Sequence, residues 1–233
     1  MIADSGELSP SDPSLSEQQP VASDGDPYED YPEDDARDTQ EPAVALEAAR
    51  MLRELGTACW KEGAAADALA KWQKALRYLD VHPVLPDDAS PELADEFNTL
   101  RTPLLLNSAL AAFKEPGGTE GARIALSATF TVLGLPKLSD SDRGMYYCCF
   151  CLEAQVLEML TVACASHFAA KALYRQGLAQ VTLKEDEEAE RAFLEALSLA
   201  KEDKAIAAEL ERLRQRKKAQ REKEKAAYKK FFG

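Results

Sequence analysis

The sequence predicts an all-α protein built as an array of helical hairpins, on three observations. Lys171–Leu199, KALYRQGLAQVTLKEDEEAERAFLEALSL, places small or apolar residues at Leu173, Gly177, Leu178, Ala189, Phe193, Ala196 and Leu197. That spacing makes two short amphipathic helices meeting at a tight turn near Lys184–Asp186, with Gly177, Ala189 and Ala196 small enough for close approach. Upstream, Leu52–Val81 repeats the pattern with Leu55, Gly56, Cys59, Trp60, Ala68, Trp72, Ala75, Leu76 and Leu79. Such hairpins bury their apolar faces only by stacking, about three or more to a core, so another is expected between the two. Leu100–Thr129 supplies it, as LRTPLLLNSALAAFK, a longer turn around Pro116–Gly121, then ARIALSAT.

In chain order, residues 1–42 are rich in Asp, Glu, Ser and Pro, with Arg37 as the only base. Such a segment lacks the apolar surface to fold alone and predicts a disordered acidic arm. The array is expected over 43–203, with repeats at about 48–81, 100–129 and 170–203. Residues 144–168, GMYYCCFCLEAQVLEMLTVACASHF, interrupt it and hold four of the five Cys. The flanks rejoin well without this stretch, LSDSDR leading into AAKALYRQG with Ser139 or Asp140 as caps. Its ends can be encoded by donor-like and acceptor-like codons, and Leu160–Thr161 by a branch-point core, so it reads as a retained intron. Transcripts lacking any junction between the codons for Arg143 and Ala169 would overturn that reading. Residues 204–233 predict a long helix: Ile206, Leu210 and Leu213 cap the last repeat, and a basic remainder carrying Tyr228 projects into solvent.

Composition narrows the function. Hydrophobic residues make up 45% of the 233 residues, enough for a core. The formal net charge of −13 argues against nucleic acid as a partner. No basic region followed by an apolar run opens the chain. The most apolar window, Met145–Phe168, carries Glu153, Gln155 and Glu158, so no membrane span is expected. Five scattered Cys fit a reducing compartment, and a cytoplasmic location is expected.

Both strong copies match the tetratricopeptide repeat, whose period is about 34 residues. Further segments narrow the resemblance. ASDGDPYEDYPEDD (Ala22–Asp35), ALRYLDVHPVLP (Ala75–Pro86), LRTPLLLNSALAA (Leu100–Ala112), KALYRQGLAQ (Lys171–Gln180) and KKAQREKEKAAYKKFF (Lys217–Phe232) resemble the cyclophilin-40 type of peptidyl-prolyl isomerase (the isomerase D type), especially its fungal members. The resemblance covers nearly the whole chain except Gly144–Phe168. Met1–Leu8 looks like the closing strand of a cyclophilin barrel, so the isomerase domain itself is expected to be missing. The resemblance therefore implies a non-catalytic chaperone-docking module. Its expected mechanism is clamp recognition of the acidic Glu-Glu-Val-Asp terminus of cytosolic ninety-kilodalton, and also seventy-kilodalton, heat-shock chaperones. The alternatives are prolyl isomerisation, or an inactive product of a mis-spliced gene.

By resemblance, the clamp positions fall on Arg53 and Thr57 in the first repeat, Asn107 in the second, and Lys171 and Arg175 in the third. Lys171 and Arg175 are one turn apart and so share a helix face. Ammonium and guanidinium groups make charge-assisted bonds to carboxylates, and an Asn amide can donate to the same group. The family usually has Asn where Thr57 stands and Lys where Arg53 stands. The basic tail, with Lys217, Lys218, Arg221 and Lys225, is a candidate surface for calmodulin or another acidic protein, as the resemblance suggests. Cys149-x-Cys151 with Cys164-x-x-His167 could supply four zinc ligands, but the spacing is loose and no metal or other cofactor is expected. His82 reads as a loop residue, Cys59 as a small buried hydrophobe, and Trp60 and Trp72 as packing residues.

Overall fold

The computed structural model describes residues 25–82, 85, 90–134 and 154–232. Among the described residues seven helices follow one another: α1 (Pro42–Glu62), α2 (Ala65–Asp80), α3 (Pro91–Lys114), α4 (Gly118–Gly134), α5 (Ala154–Leu183), α6 (Asp186–Leu199) and α7 (Lys204–Phe232). The described residues contain no strand. Helices α1/α2, α3/α4 and α5/α6 are the three expected hairpins, each stacked on the next, with α7 against α6.

Turn chemistry sets the hairpins. Gly63, at φ 88°, ends α1 in the left-handed conformation, and its region returns N–H groups to the carbonyls of Cys59 and Trp60. Ser90 caps α3 by accepting from the Leu93 N–H at 3.2 Å, with Pro91 in the first turn. Lys184 takes the left-handed position at φ 66° before α6, within the predicted turn. Helix α6 then opens with Asp186, Glu187 and Glu188, whose charges suit the positive end of the helix dipole.

The second hairpin corrects one expectation. Its turn is short, because Gly118–Gly121 are already the first turn of α4. A Cβ at Gly121 would sit 1.9 Å from the Ala112 carbonyl oxygen, so only glycine lets α4 fold back this tightly. The adjacent core is built from Ala109, Ala122, Ala125, Ala128 and Ala179 with Leu105. The largest core, around Leu52, Trp72, Tyr78, Leu79 and Leu104, joins the first two hairpins. A third joins Leu173 and Phe193 to Ile206, Leu210 and Leu213 of α7. Full burial of a side chain such as Phe193 contributes about 1.5–3 kcal/mol.

One further segment departs from expectation, and the described part of the 144–168 stretch is helical. Residues 25–41, expected to belong to a disordered acidic arm, lie against the first hairpin. Their carboxylates and carbonyls find cationic partners on α2, which compensates for the shortage of apolar surface. Residues 1–24 lie outside the described residues. Helix α5 starts at Ala154 and passes unbroken through Phe168 and Ala169. The second half of the 144–168 stretch is thus continuous in backbone with the third repeat, since it contains neither Gly nor Pro. Residues 144–153 lie outside the described residues, as do the Ser139 and Asp140 capping positions.

Candidate functional site

Helices α1 and α3 pack side by side, with Arg50 of α1 paired to Glu96 of α3 at 2.8 Å. Between them runs an open groove of about 420 Å³ lined by Arg53, Glu54, Thr57, Ala58, Lys61, Pro103 and Asn107. Arg53, Thr57 and Lys61 recur every fourth residue and form one stripe along α1. Pro103 and Asn107, also four apart, form the facing stripe on α3. Three of the five anticipated clamp positions therefore share one volume.

Their hydrogen bonds separate them by role. The Thr57 hydroxyl donates to the Arg53 carbonyl at 2.7 Å, so its proton is held within α1. It offers a ligand only acceptor lone pairs, which repel a carboxylate. Trp72 Nε1–H donates to the same carbonyl at 3.3 Å, tying α2 to the groove wall. Asn107 is half-buried on α3. Lys61 was not anticipated, although its spacing from Arg53 and Thr57 was a readable signal. Glu54 brings a negative charge into the same groove. Near the end of α3, the Lys114 ammonium lies 4.2 Å from the centre of the Trp60 ring, a cation–π contact.

The third-repeat pair sits apart from that lining. Lys171 is exposed on α5. Arg175, one turn on, donates from a terminal guanidinium nitrogen to the Leu106 carbonyl of α3, the peptide unit preceding Asn107. Burial lowers its pKa from the usual guanidinium range. Arg175 thus spends a donor on holding α5 to α3.

The tail cations divide likewise. Lys217 bonds Glu187 at 2.8 Å and Glu190 at 2.7 Å, Arg214 bonds Glu190 at 3.1 Å, and Arg216 pairs with Asp186. The expected free projection of the basic helix is thus corrected as far as Lys217, because the acidic start of α6 lies opposite. Hydrogen bonds from Lys217 lower the pKa of Glu187 and, with Arg214, that of Glu190, while Glu187 and Glu190 raise that of Lys217. Lys218, Arg221 and Lys225 are exposed farther along α7, with Lys225 3.5 Å from Glu222.

Among the described residues no three His, Cys, Asp or Glu side chains gather as metal ligands. Cys149 and Cys151 lie outside those residues, and of Cys164 only the helical backbone is described. His82 donates from Nε2 to the Thr39 carbonyl at 3.1 Å and sets its ring edge-on to Phe97, a structural role. Among the described residues no helix is long and apolar enough to cross a membrane.

The architecture is that of a tetratricopeptide-repeat domain. It superposes on the C-terminal tetratricopeptide-containing domain of a Plasmodium falciparum FK506-binding protein with a TM-score of 0.56 and 19% identity, covering 78% of this chain and 95% of that one. In sequence, the chain is homologous to fungal proteins named Peptidyl-prolyl cis-trans isomerase D. It is 40% identical over 210 residues to that of Cryptococcus neoformans, covering 90% of this chain and 49% of the relative. The Mycosarcoma maydis protein of the same name is 33% identical over 215 residues, covering 89% of this chain and 49% of the relative. The chain thus spans about half the length of the curated relatives it matches. No protein-family model matches it.

Proposed function

We propose that this chain is a co-chaperone docking module that holds the acidic C-terminal tail of cytosolic ninety-kilodalton, and secondarily seventy-kilodalton, heat-shock chaperones, without chemistry of its own. The observation that carries this reading is the groove between α1 and α3, where Arg53, Lys61 and Asn107 face one open volume. Lys171 on the neighbouring α5 supplies a further exposed cation. A peptide ending in Glu-Glu-Val-Asp brings several carboxylates, each worth about 1.5–3 kcal/mol when met by a charged donor. Arg53 and Lys61 take side-chain or terminal carboxylates, and the Asn107 amide donates to the terminal carboxylate or a peptide carbonyl. Arg175 acts by fixing the carbonyl beside Asn107. The tail cations Lys218, Arg221 and Lys225, exposed on α7, offer a second acidic partner such as calmodulin a separate surface.

The test is fluorescence-anisotropy titration of a labelled Glu-Glu-Val-Asp peptide against the full chain, with its C-terminal amide as control. A Kd near the micromolar range, about −8 kcal/mol, lost on amidation, is the expected result. Equal binding of acid and amide, or no binding, overturns the reading. The name of the fungal relatives favours a second reading, catalysis of X-Pro isomerisation. Acceleration of that uncatalysed step, which takes tens to hundreds of seconds, by the purified chain would establish it.

A further inference from the structure

The cationic face of α2 is occupied. Lys71, Lys74, Arg77 and Tyr78 recur at helical spacing along α2, and none of them lines the groove between α1 and α3. Asp26 sits against this face with 4% exposure, its Oδ2 accepting from Lys71 at 2.6 Å and Lys74 at 2.9 Å. Three successive carbonyls then meet three α2 side chains: Tyr28 meets Lys74, Glu29 meets the Tyr78 hydroxyl at 3.0 Å, and Asp30 meets Arg77 Nε at 2.8 Å. The Tyr28 ring lies edge-on to Tyr78, with centres 5.7 Å apart, and carries the Arg37 guanidinium 4.4 Å above it. The one Tyr78 hydroxyl proton is shared between the Glu29 carbonyl and Asp35 Oδ2, the nearer acceptor at 2.7 Å, and Arg37 reaches back to the Pro27 carbonyl at 3.1 Å.

We propose that this face of α2 is a second recognition site, for an extended acidic segment containing tyrosine, and that its occupant is this chain's own Asp26–Arg37 segment. Charge alone does not account for the arrangement. A solvated acidic tail near a basic helix keeps its carbonyls in water, whereas here consecutive carbonyls are read in register, one buried carboxylate takes two ammonium groups, and an aromatic ring fixes the position between them. Such a site has sequence specificity, and its cis ligand excludes competitors through high effective concentration. Because this site is separate from the α1/α3 groove, the inference stands whether or not the groove binds a chaperone tail.

The experiment titrates a labelled synthetic peptide of residues 22–39 against full-length chains. It should bind a chain carrying Asp26→Ala and Tyr28→Ala, whose own segment is weakened, at least tenfold more tightly than the unmodified chain, whose site is filled. Adding Lys71→Met and Lys74→Met should remove at least tenfold of that affinity, as should scrambling the peptide at constant composition. Equal binding to both chains, no binding to either, or equal binding of the scrambled peptide overturns the proposal. Hydrogen exchange on the unmodified chain tests it without substitutions. The amides of Tyr28, Asp34, Asp35 and Arg37, whose N–H groups are hydrogen-bonded in the docked segment, should exchange at least tenfold more slowly than a random coil, and random-coil rates at all four overturn it.

Discussion

Gly177 lies directly under the ring of Phe193: a Cβ built there would fall 2.5 Å from Cε1 and 2.9 Å from Cζ. Gly56 stands in the same relation to Trp72, 2.6 Å from Nε1, at the same separation along the chain. Phe193 is fully buried, so its ring cannot swing aside. Gly177→Ala is expected to destabilise the chain by about 1–3 kcal/mol through overpacking. Urea unfolding checks this: the midpoint should fall with the slope unchanged.

Acid should loosen the segment docked on α2. Burial by itself pushes the Asp26 carboxyl up, but bonds from Lys71 and Lys74 outweigh it and hold the group below the usual carboxylate range. Asp35 follows the same pattern, burial opposed by the Arg37 N–H and the Tyr78 hydroxyl. A depressed folded-state pKa adds stability above the unfolded value, about 3.9, which is lost as pH falls through the folded value. Hydrogen exchange of residues 26–37, corrected for its intrinsic pH dependence, should therefore accelerate progressively below about pH 4. In Asp26→Asn part of that acid step should be missing, because residue 26 no longer titrates.

Thr57→Asn should strengthen binding of a carboxylate-ended peptide. The hydroxyl proton of Thr57 is committed to the Arg53 carbonyl, whereas an amide adds a donor directed into the groove. One added hydrogen bond is worth about 1 kcal/mol, roughly a fivefold lower Kd in the anisotropy titration. An unchanged or weaker Kd would show that the α1 stripe does not contact the ligand.

Lys61→Met should weaken the same peptide and flatten the salt dependence of its Kd, since one cation leaves the groove. Lys61→Arg should retain most of the affinity. Measuring Kd at two ionic strengths separates the lost charge from a lost packing contact.

Lys217→Met should uncouple the outer part of α7. Lys217 is the bond partner of both Glu187 and Glu190, and over residues 214–228 the side chains are exposed apart from half-buried Lys217 itself. Faster amide exchange in residues 214–228, with 204–213 unchanged, is the expected signature. Uniform acceleration along α7 would mean that the apolar cap, and not the ion pairs, sets the stability of the whole helix.

The hairpins were legible because their signal is steric and local. Gly177 and Phe193, or Gly56 and Trp72, carry it in residue size alone. The short second turn was not, because Gly-Gly-Thr-Glu-Gly reads as loop until the Ala112 carbonyl is seen to need Gly121. The docked segment was also hidden: its partners lie far away in sequence, and composition records a shortage of apolar residues but not the matching cations on α2. In the groove, helical spacing linked Arg53 to Thr57, and continuing it by one turn reaches Lys61. What spacing could not reveal is that Arg175 points into the joint between α3 and α5, since that depends on which carbonyl lies opposite.

That joint gives the array a mechanical property. The Arg175 guanidinium links the third hairpin to the peptide unit that precedes Asn107 in the groove wall. The third hairpin is therefore fastened to the wall of the groove at this bond as well as through the packing of α5 on α4. Any displacement of α5 would pull, through Arg175, on the stretch of α3 that carries Asn107 into the proposed binding groove.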